Sequence, residues 1–111
     1  MRVSLGLETA QALHALSDPV RLRILDHLAQ APAGVTELSG QLPITRQGTA
    51  KHLAVLRDAD LVRGERVGRE TRYRVHAATV RDTADALATA ADRWSRQLAL
   101  LKQAAEDGAI P

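Results

Sequence analysis

Residues 44–62 read ITRQGTAKHLAVLRDADLV, and the fold turns on what lies along the two sides of this segment. On a helix turning about 100° per residue, Thr49, Leu53 and Leu56 gather on one side, where a core needs them. Gln47, Lys51, Ala54 and Asp58 fall opposite, with Ala50 beside them. Arg46 and Arg57 occupy one flank and His52 the other. A solvated outer face usually carries pairs of opposite charge, whereas this one offers small and polar groups with a single lysine near its centre. Such a face is shaped to lie against something. A duplex major groove accepts a helix with hydrogen-bonding side chains early, small residues at the groove wall and cations for phosphates. Gln47 meets the first demand, Gly48, Ala50 and Ala54 the second, and Arg46, Lys51 and Arg57 the third.

Working backward, Thr45 is placed to cap this helix, and only Pro43 and Ile44 separate it from a short one in VTELSGQLP. That short helix is expected to be capped by Thr36 and to face Val35, Leu38 and Leu42 inward. Before it, SDP is a start signal: Ser17 or Asp18 can accept from free amides, and Pro19 has no N–H to leave unpaired. The helix in VRLRILDHLAQ then buries Ile24, Leu25 and Leu28 until APAG ends it. A first helix is expected over residues 5–16, with Leu5, Thr9, Ala12, Leu13 and Leu16 on one side.

Working forward, the period changes to two. LVRGERVGRETRYRV reads as two strands around a turn near residues 67–70, with Thr71, Tyr73 and Val75 on one face and Arg72 and Arg74 on the other. Helix, turn, helix and basic hairpin, in that order, make a winged helix-turn-helix. A tip bearing Gly68 and Arg69 suits the adjacent minor groove, and Arg72 and Arg74 suit phosphates.

From Val80 the apolar residues step by four and three: Val80, Ala84, Leu87, Ala91, Trp94, Leu98, Leu101, Ala105. This is a heptad seam. A helix of roughly 28 residues runs about 42 Å, longer than so small a domain needs, so at least part of the seam is expected to meet a second copy. The dimer residues expected are Leu5 in the first helix and Leu87, Ala91, Trp94, Leu98 and Leu101 in the last. The chain is therefore expected to be mostly α with a small β-hairpin (α+β). Residues 1–78 would form the winged domain with its N-terminal dimerisation helix, and 79–111 the C-terminal dimerisation helix and a short tail.

Composition narrows the class. The chain has 111 residues, 45% apolar, with no Phe and no Cys. Its core must rest on Leu, Val, Ile and Ala, and neither disulfides, thiolate metal ligands nor a cysteine nucleophile are available. No apolar run approaches the roughly 20 residues of a membrane span, and Glu8, Gln11 and His14 interrupt the N-terminal stretch, so a cytoplasmic protein is expected. Net charge is +2, but residues 45–74 hold eight cations against four anions, and the remainder seven against nine. A basic middle between acidic ends fits a polyanion-binding module, and from charge alone it fits an uneven but solvated surface equally well. GTAKH lacks the order of a phosphate-binding loop, and no His–carboxylate–nucleophile grouping occurs, so catalysis is not expected. His14, His27, His52 and His76 show no metal spacing, and neither metal nor cofactor is expected.

SDPVRLRILDHL, VTELSGQLPITRQGTAKHLAVLRDADLV and GRETRYRV resemble the ArsR-type winged-helix transcriptional repressors, over roughly residues 8–78. The resemblance implies a homodimeric, cytoplasmic regulator that binds a palindromic double-stranded DNA operator and leaves it on a signal. It carries DNA contacts over to Thr45, Arg46, Gln47, Thr49, Lys51 and His52 in the recognition helix, and to Arg69 and Arg72 in the wing. RQGTAKHL with a Trp in the last helix looks most like the metal-independent members. A winged helix that uses its basic face on an acidic protein is the rival reading.

Overall fold

The computed structural model describes residues 6–108: five helices and one two-stranded antiparallel sheet. Helix α1 spans Leu7–Ala15, α2 Pro19–Gln30, α3 Val35–Gln41 and α4 Arg46–Asp58. Strands β1 (Val62–Val67) and β2 (Glu70–Val75) form the wing, and α5 runs Ala77–Glu106. Leu5, expected at an interface, lies outside the described residues.

Local chemistry explains most boundaries. Asp18 caps α2, its carboxylate accepting the N–H of Val20 at 2.8 Å and of Arg21 at 3.1 Å, while Pro19 opens the helix. Thr45 caps α4, its hydroxyl oxygen accepting the N–H of Gly48 at 2.9 Å. The short helix departs from expectation. Its N-cap is Gly34, with no side-chain cap, and Thr36 stands exposed within the helix. Gly34 is favoured by proximity: a Cβ there would crowd the Thr71 carbonyl oxygen at 3.2 Å and the Glu70 carboxylate at 3.3 Å. Ala33 next to it exchanges both backbone hydrogen bonds with Tyr73, at 3.1 and 2.8 Å, and so adds one rung to the wing.

Helix α4 ends in a Schellman closure. The Leu61 N–H bonds the Leu56 carbonyl at 2.9 Å and the Asp60 N–H the Arg57 carbonyl at 2.9 Å, with Asp60 at φ 59° in the left-handed position usually held by glycine. Leu56 and Leu61, the apolar pair that accompanies this motif, are both fully buried. Asp60 then ties the junction together, accepting from Arg63 Nε at 3.4 Å and Thr79 Oγ1 at 3.1 Å. In the wing, Gly68 takes φ 66° at the first of two turn residues and Arg69 follows at negative φ, the pattern of a type II′ hairpin. Thr71, Tyr73 and Val75 are half-buried and Arg72 and Arg74 exposed, as the alternation predicts.

The core joins Ala12 and Ala15 of α1, Ile24 and Leu28 of α2, Leu38, Leu42, Leu53, Leu56, Leu61 and Val62. Helix α5 contributes little to it. Thr83 and Ala90 are its buried residues, and they sit on a face beside the heptad seam rather than on it. Within one chain Leu87, Trp94, Leu98 and Leu101 stay 40%, 44%, 66% and 55% exposed. At 30 residues and about 45 Å the helix overruns the winged body, giving the chain a long dimension of 67 Å against 30 and 22 Å.

The Asp18 carboxyl titrates below the ordinary aspartate value, held there first by the Arg21 N–H and then by the Val20 N–H, with burial opposing. Because the folded value is lowered, this cap stabilises in full above the ordinary aspartate range and is lost as pH falls through the lowered value. Asp18→Asn keeps a capping oxygen without the charge. It is expected to flatten the acid limb of a Tm-against-pH curve, and curves parallel to the parent would contradict this role.

Candidate nucleic-acid interface

Helices α3 and α4 form the helix-turn-helix, and burial sorts α4 into two faces. Leu53 and Leu56 have no exposure, whereas Arg46, Gln47, Ala50, Lys51 and Arg57 stand open to solvent and Ala54 is half-buried. The wheel therefore holds for both faces. What fails is the DNA contact that the family resemblance carried over to Thr49. That residue is fully buried, and its hydroxyl donates to the Thr45 carbonyl at 2.8 Å, so it cannot reach a duplex; it closes the first turn of α4. Its place between Thr45 and Leu53, on the apolar side, was the warning in the sequence. Thr45 is exposed, and its oxygen serves the Gly48 amide.

The cations fall into two groups. Arg46 and Lys51 on α4, and Arg66, Arg69 and Arg74 on the wing, make no ion pair among the described residues and are exposed. Others are engaged. Arg57 pairs with Asp58 at 3.4 Å and Arg63 with Asp60 at 3.4 Å, both in the open. Arg72 reaches Glu37 of α3 at 3.3 Å and Glu70 at 3.5 Å, so its guanidinium ties the wing to the helix-turn-helix. Exposed pairs like these contribute little to stability and exchange readily for another anion.

His52 is half-buried on the flank of α4, with Nδ1 3.3 Å from Arg21 Nη1. Arg21 shares the apolar face of α2 with Ile24 and Leu28, three and seven residues on, but the sequence gives no sign of the acceptors that let an arginine be buried there. Among the described residues no three or more His, Cys, Asp or Glu side chains gather as metal ligands would. No described helix is long and apolar enough to cross a membrane.

Helix α5 supplies the other surface. Leu87, Trp94, Leu98 and Leu101 form an open apolar stripe, and the exposed Ala91 lies between them.

A helix-turn-helix domain family matches residues 16–65. The HTH-type transcriptional regulator Rv2034 of Mycobacterium tuberculosis is 36% identical over 89 residues, covering 79% of each chain. Among solved structures, an ArsR-like transcriptional regulator from Rhodococcus sp. RHA1 is 42% identical, with a TM-score of 0.77 over 86% of this chain and 91% of that one. The homodimeric winged helix-turn-helix DNA-binding domain Mb0332 of Mycobacterium bovis follows at 27% identity and a TM-score of 0.64, over 77% and 80% of the two chains. Five helices with a two-stranded wing, an open face on α4 and this likeness along most of the chain give one conclusion: the protein belongs to the ArsR-type winged helix-turn-helix transcriptional regulators.

Proposed function

We propose that the protein is a homodimeric repressor that binds a palindromic operator, with one α4 in each of two successive major grooves and the wing along the neighbouring backbone. The observation that carries this reading is the outward face of α4: Gln47, Ala50 and Lys51 are exposed on a helix whose other side is locked into the core, and unpaired cations flank them. Gln47 reads base edges. Arg46, Lys51 and Arg69 neutralise phosphates, and Arg57 and Arg72 join them by exchanging carboxylate partners for phosphate. Repression follows from occupancy of a site that overlaps a promoter.

Pairing of two chains is supported by the stripe on α5. A two-fold contact through α1 and α5 would cover Leu87, Trp94, Leu98 and Leu101 and hold the two α4 helices about 34 Å apart, one turn of duplex. The homodimeric state of the M. bovis domain agrees with this arrangement. The winged part over 1–78 and the dimerisation part over 79–111 differ in function rather than as separately folded units, because α5 runs across that boundary from Ala77. Relatives named as transcriptional regulators favour a regulatory role in the cytoplasm.

Three outcomes test the reading. If the three unpaired cations Arg46, Lys51 and Arg69 of each chain alone neutralise six phosphates across the dimer, operator affinity drops on the order of a thousandfold between about 50 and 200 mM salt, and more if Arg57 and Arg72 join; a salt-independent affinity in a gel-shift titration would contradict it. Gln47→Ala is expected to narrow the gap between operator and unrelated duplex, and Arg69→Ala to weaken both equally; matching effects would refute this division of roles. Leu98→Glu is expected to convert the dimer to monomer in sedimentation and abolish tight operator binding, while the melting curve of the winged body persists. A Leu98→Glu chain that remains dimeric would move the interface elsewhere.

A further inference from the structure

Arg21 is the single buried charged residue among the described residues, at 9% exposure. Its Nε donates to the Ala15 carbonyl at 2.6 Å and its Nη2 to the His14 carbonyl at 3.3 Å, at the C-terminal end of α1. Its Nη1 lies 3.3 Å from His52 Nδ1 and 3.9 Å from Asp18 Oδ2. One guanidinium thus joins the end of α1, the cap of α2 and the flank of α4. A guanidinium has N–H donors and no acceptor, so His52 Nδ1 must accept. An accepting Nδ1 carries no hydrogen, and the hydrogen of the neutral ring then sits on Nε2. Nε2 has no partner among the described residues. No buried side-chain nitrogen or oxygen there lacks one, so Nε2 opens to solvent.

We propose that Arg21 fixes His52 in the Nε2–H tautomer and so makes it a directed hydrogen-bond donor to a phosphate at the edge of the groove. Arg21 touches no DNA; it is a positioning residue acting through His52. The inference rests on the DNA-binding reading above. The alternative tautomer is unfavourable at this contact, because an Nδ1–H turns a hydrogen toward the guanidinium. A donor already fixed in direction loses less freedom on binding than one free to choose its tautomer. It also explains why the flank of α4, apart from the outward residues, carries an aromatic ring wedged against α2.

The test uses the full chain with 15N-labelled histidine. A two-bond proton–nitrogen correlation spectrum at neutral pH is expected to show His52 protonated at Nε2 alone; an Nδ1–H or doubly protonated ring overturns the proposal. Two replacements separate the nitrogens. In His52→Asn the amide oxygen stands in for Nδ1 but nothing reaches outward; in His52→Gln the amide nitrogen stands in for Nε2. Affinity for a selected duplex is expected to fall on the order of tenfold in His52→Asn and less in His52→Gln. Equal binding by wild type and His52→Asn overturns the inference alone. A wild-type chain that shifts no duplex at low salt overturns the DNA-binding reading as well. Arg21→Met, where it folds, is expected to lower affinity in the parent but not further in the His52→Asn background, and equal losses in both would mark a purely structural arginine.

Discussion

Leu53 and Leu56, both fully buried, hold α4 by one side only, and the rest of the molecule is arranged around that one-sided grip. Burying two leucines contributes roughly 3–6 kcal/mol by removing apolar surface from water, and none of that gain draws on the outer face of the helix. That outer face is then free to be chosen for what it meets. The ends of α4 are closed independently, by Thr45 at the start and by the Asp60–Leu61 turn at the finish. A helix secured in this way presents Gln47 and Lys51 on a rigid element, which recognition of base edges requires.

The wing and the flank are anchored by different physics. Apolar burial is thin there. Tyr73 and Val75 are half-buried, and the Ala33–Tyr73 rung and the Arg72–Glu37 pair do much of the positioning. Hydrogen bonds and exposed ion pairs of this kind set direction more than stability. The consequence is a helix locked to the core on one side, beside a wing tied to α3 by an exposed ion pair that exchanges anions readily.

Much of this was legible in the sequence because it rests on local rules. The Asp18–Pro19 start, the Thr45 cap, the alternation in TRYRV and the two faces of α4 each depend on residues within a turn or two of one another. What was not legible depends on distance. Arg21 is buried because its acceptors are two α1 carbonyls and a histidine 31 residues away, and no spacing rule announces such a set. Helix α3 starts at Val35 with Gly34 as its cap, and the Thr71 carbonyl that crowds position 34 is brought there only by the folded wing. Thr49 illustrates a different failure: a family contact carried over by position landed on a side chain that its own helix had turned inward. The heptad seam was readable as a pattern, but its separation from the Thr83–Ala90 face that packs at home required coordinates.

In the proposed function two α4 helices address two copies of one half-site on successive turns of duplex. Selection of bound duplexes from a random pool by the full chain tests this in one step. Enriched sequences are expected to show two-fold symmetry and half-site centres about 10 base pairs apart, or a multiple of that spacing. Enrichment of a single asymmetric site, or none above the starting pool, would contradict it.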